Sequence, residues 1–285
     1  MGQSLFLNPL EMVPVLISYV IISIISLLLI YKKKMNRKIT IIILFLSILI
    51  PGLIFGLSMH PVFASQQIFI FIFNITRNPA MISRILPSIV IISIVLAVFV
   101  VSTLIFGRIF CSYACPLGAA QELISNINFK NKVKKSKYAV SLPNKVTNSI
   151  RVTFFITMIV TSITWGFALF SIINPFKAFS IFQNILNPVV LIVPILILVL
   201  ILISSIFIYR PWCTILCPFG TVAWLTSRFS FFKLRRNDNC TKCQACEKVC
   251  PTSEAFINSN KSRCYLCNRC VEICPANAIE FDKNK

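Results

Sequence analysis

The C-terminal part of the chain reads Cys240-Thr-Lys-Cys243-Gln-Ala-Cys246-Glu-Lys-Val-Cys250-Pro251 and then Cys264-Tyr-Leu-Cys267-Asn-Arg-Cys270-Val-Glu-Ile-Cys274-Pro275. Both stretches follow the pattern C-x₂-C-x₂-C-x₃-C-P, in which three thiolates bind one 4Fe–4S cluster and the fourth binds the other. We therefore predict one cluster on Cys240, Cys243, Cys246 and Cys274. The other is predicted on Cys264, Cys267, Cys270 and Cys250. Zinc is the alternative for paired cysteines, but two identical runs with a trailing proline favour iron–sulfur clusters.

The remainder of the chain is strongly apolar. Of its 285 residues, 57 % are hydrophobic and 13 % are charged, and the mean hydropathy is +0.84. Stretches long enough to cross a bilayer as helices lie at approximately 12–30, 39–57, 86–106, 152–173 and 189–208. The composition predicts an α-helical integral membrane domain over 1–234 and a small α+β two-cluster ferredoxin domain over 235–285.

The basic residues indicate how the chain crosses the membrane. The net charge is +20, yet only Arg77, Arg84 and Lys177 fall on one set of the alternating junctions. The positive-inside rule therefore predicts an outer N-terminus and a C-terminus in the cytoplasm, as in a multi-pass protein of the cytoplasmic membrane in contact with its lipids. This distribution argues against nucleic acid as a partner. All twelve cysteines fall on the predicted cytoplasmic side, where thiols stay reduced and available for metal.

Four further cysteines form two matching motifs. They read Arg108-Ile-Phe-Cys111-Ser-Tyr-Ala-Cys115-Pro116-Leu-Gly118 and Arg210-Pro-Trp-Cys213-Thr-Ile-Leu-Cys217-Pro218-Phe-Gly220. Each follows a helix predicted to run from outside to inside, which indicates a parallel repeat with units of approximately 39–120 and 152–222. Such symmetry would bring the four thiols together at the cytoplasmic membrane face. They suit iron, an additional iron–sulfur centre or a redox-active dithiol pair, with zinc or a structural role as alternatives.

Other polar residues have two interpretations each. Arg108 and Arg210 either favour the thiolate form of the nearby cysteines or anchor helix ends at lipid headgroups. His60 is either a proton acceptor for quinol or an interfacial histidine, and as the only histidine it excludes a haem with two His ligands. Glu122 is expected on a short helix, as a solvated side chain or a proton relay. The segment 59–85 is expected to be re-entrant or interfacial.

The twin C-x₃-C-P motifs and the following eight-cysteine segment resemble the NapH-type ferredoxin-like membrane proteins. They are also similar to the membrane part of NosR and to CcoG. The resemblance covers roughly residues 40–282 and implies a quinol dehydrogenase subunit that acts in a complex with redox partners. In that family the membrane helices meet the quinone pool and exchange electrons with the clusters.

Three functions remain open at this point. The first is a membrane electron-transfer subunit between the quinone pool and a redox partner, with the twin motifs as a relay. The second is a metal-reducing or assembly factor that supplies electrons for maturation of a metalloenzyme. The third is a membrane anchor or sensor whose clusters serve structure or regulation. The near absence of ionisable residues within the apolar stretches argues against a proton pump or ion channel.

Overall fold

In the computed structural model, most of the described residues up to 227 form helices. The structure describes residues 9–55, 61–77, 82–127, 143–165, 173–181, 189–257 and 259–283. The helices are α1 (Pro9–Tyr31), α2 (Arg37–Ser47), α3 (Pro61–Arg77), α4 (Ile82–Phe106), α5 (Pro116–Ile127), α6 (Asn144–Trp165), α7 (Val189–Phe207) and α8 (Pro218–Ser227).

Four segments of the described chain are long and apolar enough to cross a membrane. They are Val13–Tyr31, Arg37–Ile54, Leu86–Phe106 and Asn144–Trp165. The fifth predicted span is present as a shorter apolar helix, Leu191–Phe207. Aliphatic side chains along α1, α4 and α7 are about half exposed, which is the pattern of helices that face lipid rather than water. The chain is therefore membrane-associated through these helices.

Two elements depart from straight spans. After α2 the chain continues as a π-helix, Ile48–Ile54, which contains Pro51; proline lacks the N–H that a regular α-helix would use. The predicted outer segment 59–85 contains α3, which packs against α4 and α6. Within the described residues, the part Pro61–Arg77 is therefore a helix held against the other helices.

The C-terminal segment is a small α+β unit. Strands β1 (Phe232–Arg236) and β2 (Ile279–Lys283) pair antiparallel, and short helices α9 (Ala245–Val249) and α10 (Arg269–Ile273) lie between them. The predicted boundary at 235 falls inside β1. The Phe232 ring stacks between Phe106 at the end of α4 and Phe281, with centroids 5.8 and 5.7 Å away. These rings pack the two-stranded sheet onto the helical part.

Hydrogen bonds fix the C-terminal unit to the helices. The Tyr113 hydroxyl donates to the Leu266 carbonyl at 2.8 Å, and the Asn268 amide donates to the Met35 carbonyl at 2.8 Å. The Ser227 hydroxyl donates to the carbonyl of Ser262, also at 2.8 Å. Because buried partners on both sides are satisfied, the unit is docked on the helical part rather than only tethered to it.

Candidate metal centres

The two C-x₃-C-P motifs fold alike. Each begins as a π-helical turn, Phe110–Ala114 or Trp212–Leu216. The second cysteine, Cys115 or Cys217, is extended, and a helix begins at the following proline. Proline suits this first helical position because its missing N–H has no partner to lose there. The two thiols of a motif are therefore separated by a change of backbone direction, not aligned on one continuous helix face.

The glycine of each motif permits a close backbone contact. A Cβ atom on Gly118 would lie 2.3 Å from the carbonyl oxygen of Cys111, and one on Gly220 would lie 2.7 Å from that of Cys213. Real Cβ atoms do not approach so closely, so only glycine allows the helix to pack against the preceding turn. The P-x-G part of the motif is thus explained by backbone packing.

The four thiols of these motifs, Cys111, Cys115, Cys213 and Cys217, line a single cavity. Its wall also includes Pro61 and Val62 of α3 and Phe176, which come from segments predicted to be outer loops. The four thiols are therefore brought together, as the predicted repeat requires, and Tyr265 of the C-terminal unit completes the wall.

Several buried donors on this cavity have no hydrogen-bond partner within the described residues. Among them are the Tyr19 hydroxyl, Arg108 Nε and the Tyr265 hydroxyl, on side chains that are 1 %, 1 % and 2 % exposed. A buried donor without an acceptor costs about 1–3 kcal/mol. Sulfides and thiolates of an iron–sulfur cluster are acceptors, so the donor set and the four thiols fit such a group.

Within the part of the chain that the structure describes, no three His, Cys, Asp or Glu side chains are grouped closely enough to hold one metal ion.

Arg108 and Arg210 brace the two motifs against each other. A terminal nitrogen of Arg108 donates to the Gly220 carbonyl at 3.3 Å. Arg210 donates to the carbonyls of Cys111 and Ser112 at 2.7 and 3.2 Å. Each arginine thus belongs to one motif and binds the backbone of the other. Both are buried, so the interpretation as headgroup anchors is wrong.

Glu122 is buried as well, which corrects its expected solvated position. Its carboxylate accepts from Arg210 at 2.9 Å, from Arg269 at 2.6 Å and from the Tyr209 hydroxyl at 2.6 Å. Burial would raise the pKa of the Glu122 carboxyl, but the charges of Arg269 and Arg210 outweigh it and lower the pKa. An ionised Glu122 therefore joins the second motif to Arg269 of the C-terminal unit. Its position in α5 offered no sequence signal for either partner.

The two C-terminal cysteine loops share an unusual backbone. Lys242 and Gln244 in the first loop, and Leu266 and Asn268 in the second, all have positive φ angles between 52° and 63°. Non-glycine residues adopt this left-handed conformation at an energetic cost. Successive turns of this kind direct backbone N–H groups inward and form a concave site for anionic groups such as iron–sulfur clusters.

The thiols of the second predicted set, Cys250, Cys264, Cys267 and Cys270, line one cavity. Burial raises the pKa of Cys264 to about 12 and that of Cys267 to about 11. Metal binding has to displace the thiol protons. Cys246 of the first set lies on α9, which packs against α10, the helix that contains Cys270 of the second set. The two sets are therefore adjacent, as the crossed ligand assignment requires.

One tyrosine lies between the four-thiol cavity and the cavity lined by the second predicted ligand set, which we call the second C-terminal cavity. Tyr265 lies between two predicted ligands in sequence and belongs to the wall of both cavities. Its ring has the Arg108 and Arg210 guanidinium carbons 4.9 and 4.8 Å from the centroid and an edge contact with Tyr209. Sequence reasoning missed this residue because nothing in the pattern C-x₂-C marks its first intervening position.

The single histidine, His60, for which two roles are predicted, lies outside the described residues.

Lipid-facing helices joined to cysteine-rich loops define the class of a membrane-associated iron–sulfur protein. Comparison with known families agrees. A family described as a 4Fe-4S binding domain matches residues 88–135 and again 190–237, which contain the twin motifs. Another 4Fe-4S binding domain matches residues 257–280.

Similar proteins extend this classification. The chain is 31 % identical over 156 residues to the protein MJ0750 of Methanocaldococcus jannaschii, covering 55 % of this chain and 63 % of the relative. It is 29 % identical to YccM of Escherichia coli K12, whose name assigns it to electron transport, over 56 % and 45 % of the two chains. The regulatory protein NosR of Stutzerimonas stutzeri is 28 % identical over 56 % of this chain and 23 % of NosR.

The chain is thus similar to 4Fe-4S proteins, one of which is named for electron transport. It spans less than two thirds of the length of these relatives. No solved structure matches the chain.

Proposed function

We propose that this protein carries electrons through the membrane-associated part of a redox complex, between the quinone pool and a partner protein. The observation that carries the proposal is the shared wall at Tyr265, which joins the four-thiol cavity to the cavity of a predicted cluster. Cysteine-ligated iron–sulfur clusters take up and release single electrons over a wide range of potentials. Redox groups separated by one aromatic ring suit that chemistry.

The ligand assignment behind this proposal has three parts. Cys240, Cys243, Cys246 and Cys274 hold the first C-terminal cluster. Cys264, Cys267, Cys270 and Cys250 hold the second. The twin motifs hold a third iron–sulfur centre through Cys111, Cys115, Cys213 and Cys217. The crossed arrangement of Arg108 and Arg210 supports the third centre, because it keeps four thiols from distant parts of the sequence on one cavity.

The protein's own residues prepare this path. Glu122, Arg210 and Arg269 hold the C-terminal unit against the second motif by charge-assisted bonds, which are stronger than neutral hydrogen bonds. Arg108 and Arg210 lie beside the Tyr265 ring and supply positive charge near the anionic thiolates. We place the C-terminal unit in the cytoplasm, because most Lys and Arg residues fall on that side of the apolar helices.

The proposal is tested on the purified full-length chain reconstituted with iron and sulfide under anaerobic conditions. Three 4Fe–4S clusters correspond to about 12 iron atoms per chain, and two clusters to about 8. The double variant Cys111→Ser with Cys213→Ser should lose about four irons and keep the two C-terminal EPR signals. Thr157→Ala with Thr164→Ala, which changes two exposed residues of α6, is the control.

Electron exchange is tested separately by EPR of the same samples mixed with decylubiquinol or decylubiquinone. Reduction or oxidation of the clusters by either form supports the proposed function. Clusters that respond only to dithionite and to oxygen, in protein with full iron content, would contradict exchange with the quinone pool. Faster oxidation by Cu(II) than by quinone would instead point to the metal-reducing function.

A further inference from the structure

An apolar cavity of about 360 Å³ lies between α1 and α4. This volume lies in the range of binding sites for small molecules. Its rim is formed by aliphatic side chains that are about half exposed, namely Val20, Ile24, Ile94 and Val98. Since these side chains belong to helices that face lipid, the cavity opens to the hydrocarbon region rather than to water.

The inner end of this cavity contains one buried hydroxyl group. Tyr19 is 1 % exposed, and its hydroxyl has no hydrogen-bond partner within the described residues. At a rise of about 1.5 Å per residue, Tyr19 lies about 18 Å from Tyr31 along α1, near the middle of the helix. A buried hydroxyl at this depth needs an acceptor. Most of the cavity lining is apolar, and the two serines that also line it, Ser23 and Ser102, are not bonded to the Tyr19 hydroxyl.

Tyr19 and Phe110 also belong to the wall of the four-thiol cavity. The rings of Phe99 and Phe110 contact the Tyr19 ring edge-on, with centroids 6.1 and 5.1 Å away. The lipid-facing cavity therefore ends at an aromatic wall, with the candidate redox centre on the other side of it. A ligand in this cavity would lie one ring away from the thiols.

We propose that the α1–α4 cavity is a binding site for the headgroup of a lipid-soluble quinone or quinol, with Tyr19 donating a hydrogen bond to a headgroup oxygen. This inference rests on the proposed function, because it locates the exchange with the quinone pool. A phospholipid would fill the cavity with an acyl chain, which has no acceptor at this depth. A second copy of the chain would pack mainly aliphatic side chains of α1 and α4 against the cavity, and these would not offer the Tyr19 hydroxyl an acceptor either.

The first test compares Tyr19→Phe with Tyr31→Phe. Tyr31 lies on the same helix but is 65 % exposed and outside the cavity. Decylubiquinone is titrated into the holoprotein in detergent, and the bound quinone is measured by its absorbance after rapid gel filtration. Loss of one neutral hydrogen bond should raise the Kd of Tyr19→Phe about 2- to 10-fold. The Kd of Tyr31→Phe should equal that of the wild type.

The second test fills the cavity from its rim. Val98→Trp places an indole in the opening, whereas Val101→Trp places one on the same helix, at a residue that is also exposed but does not line the cavity. We expect Val98→Trp to raise the Kd at least 10-fold and Val101→Trp to leave it unchanged. Because both side chains face lipid, neither change disturbs the packed interior.

Three results would overturn the proposed site. The first is that the Kd values of Tyr19→Phe and Val98→Trp match the wild type while quinone still exchanges electrons with the clusters. Binding then occurs elsewhere, and the proposed function stands. The second is that Tyr19→Phe shifts the cluster EPR signals but not the Kd, which would mean that the hydroxyl serves the thiol centre. The third is that wild-type protein binds decylubiquinone only after phospholipid is removed, which would mean that the cavity holds acyl chains. Failure of the proposed function is recognised separately, by wild-type clusters that no quinol reduces and no quinone oxidises.

Discussion

Removing the charge of Glu122 should loosen the attachment of the C-terminal unit to the helices. The carboxylate is 3 % exposed and faces Arg210 and Arg269 at 2.9 and 2.6 Å. In Glu122→Gln two buried guanidinium groups share the site without an anion. Breaking a buried ion pair by removing one partner costs about 3–5 kcal/mol. We expect the lower end, about 3 kcal/mol, because the glutamine oxygen still accepts hydrogen bonds.

Thermal unfolding of the holoprotein, followed by loss of its visible iron–sulfur absorption, measures this change. For a chain of this size about 1 kcal/mol corresponds to roughly 2–4 °C in Tm, so Glu122→Gln should melt about 6–12 °C below the wild type. Glu272→Gln is the matched control, since Glu272 is exposed in α10. Hydrogen exchange of the amides in 259–283 should rise in Glu122→Gln only. A difference in Tm of about 2 °C or less between the two variants would refute the role of Glu122 as the anion of this interface.

The pH dependence provides a second check. The pKa of Glu122 is lowered below its ordinary value of 4.5, so its contribution to stability is complete above that value. It is lost as the pH falls through the lower pKa of the folded protein. The wild type should therefore keep its full advantage over Glu122→Gln from about pH 6 to 8. A steady decline of this advantage across that neutral range would contradict an ionised, paired Glu122.

Three further predictions concern the motifs and the path between them. Gly118→Ala should destabilise the protein by about 1–3 kcal/mol through overpacking against the Cys111 carbonyl. Gly107→Ala is measured in the same series, and the cost of its positive φ is taken into account. After that correction, the Tm of Gly118→Ala should be the lower of the two. Tyr265→Leu should slow electron transfer between the four-thiol centre and the C-terminal clusters in freeze-quench EPR, while Tyr265→Phe should retain the rate because the ring remains. Arg108→Gln should shift the EPR signal or potential of the four-thiol centre more than those of the C-terminal clusters, since Arg108 Nε faces that cavity; equal shifts at all centres would contradict this.

The ligand loops could be predicted from the sequence because their geometry is local. In C-x₂-C-x₂-C, the backbone has to turn twice within a few residues for the thiols to converge. Left-handed residues occur at matching positions of both loops, Gln244 and Asn268 among them. The apolar helices were equally predictable, since about 20 consecutive apolar residues leave few alternatives to a membrane helix. Local chemistry was sufficient in both cases.

The surroundings of the four thiols could not be predicted, because they depend on contacts between distant segments. Charge counting treats Arg108, Arg210 and Glu122 as surface residues, and in a water-exposed position each would be ordinary. The fold instead pairs residues about 90 positions apart, Arg210 with Glu122 and with the Cys111 carbonyl. Topology rules likewise assign Pro61 to an outer loop, whereas it lines the thiol cavity. Hydropathy predicts which segments are apolar enough to leave water. It does not predict which of the connecting segments pack into the interior of the protein.

Buried aromatic rings lie between the successive cavities of the proposed electron path. Tyr19 and Phe110 separate the lipid-facing cavity from the four thiols, and Tyr265 separates the four thiols from the second C-terminal cavity. These rings line the cavities on both sides, and all three are buried. Water would stabilise separated charges along such a path and provide routes for side reactions, so its exclusion favours electron movement between fixed centres. The buried ion pairs of Glu122 contribute to this arrangement, because they hold the C-terminal unit, and with it Tyr265, against the helices.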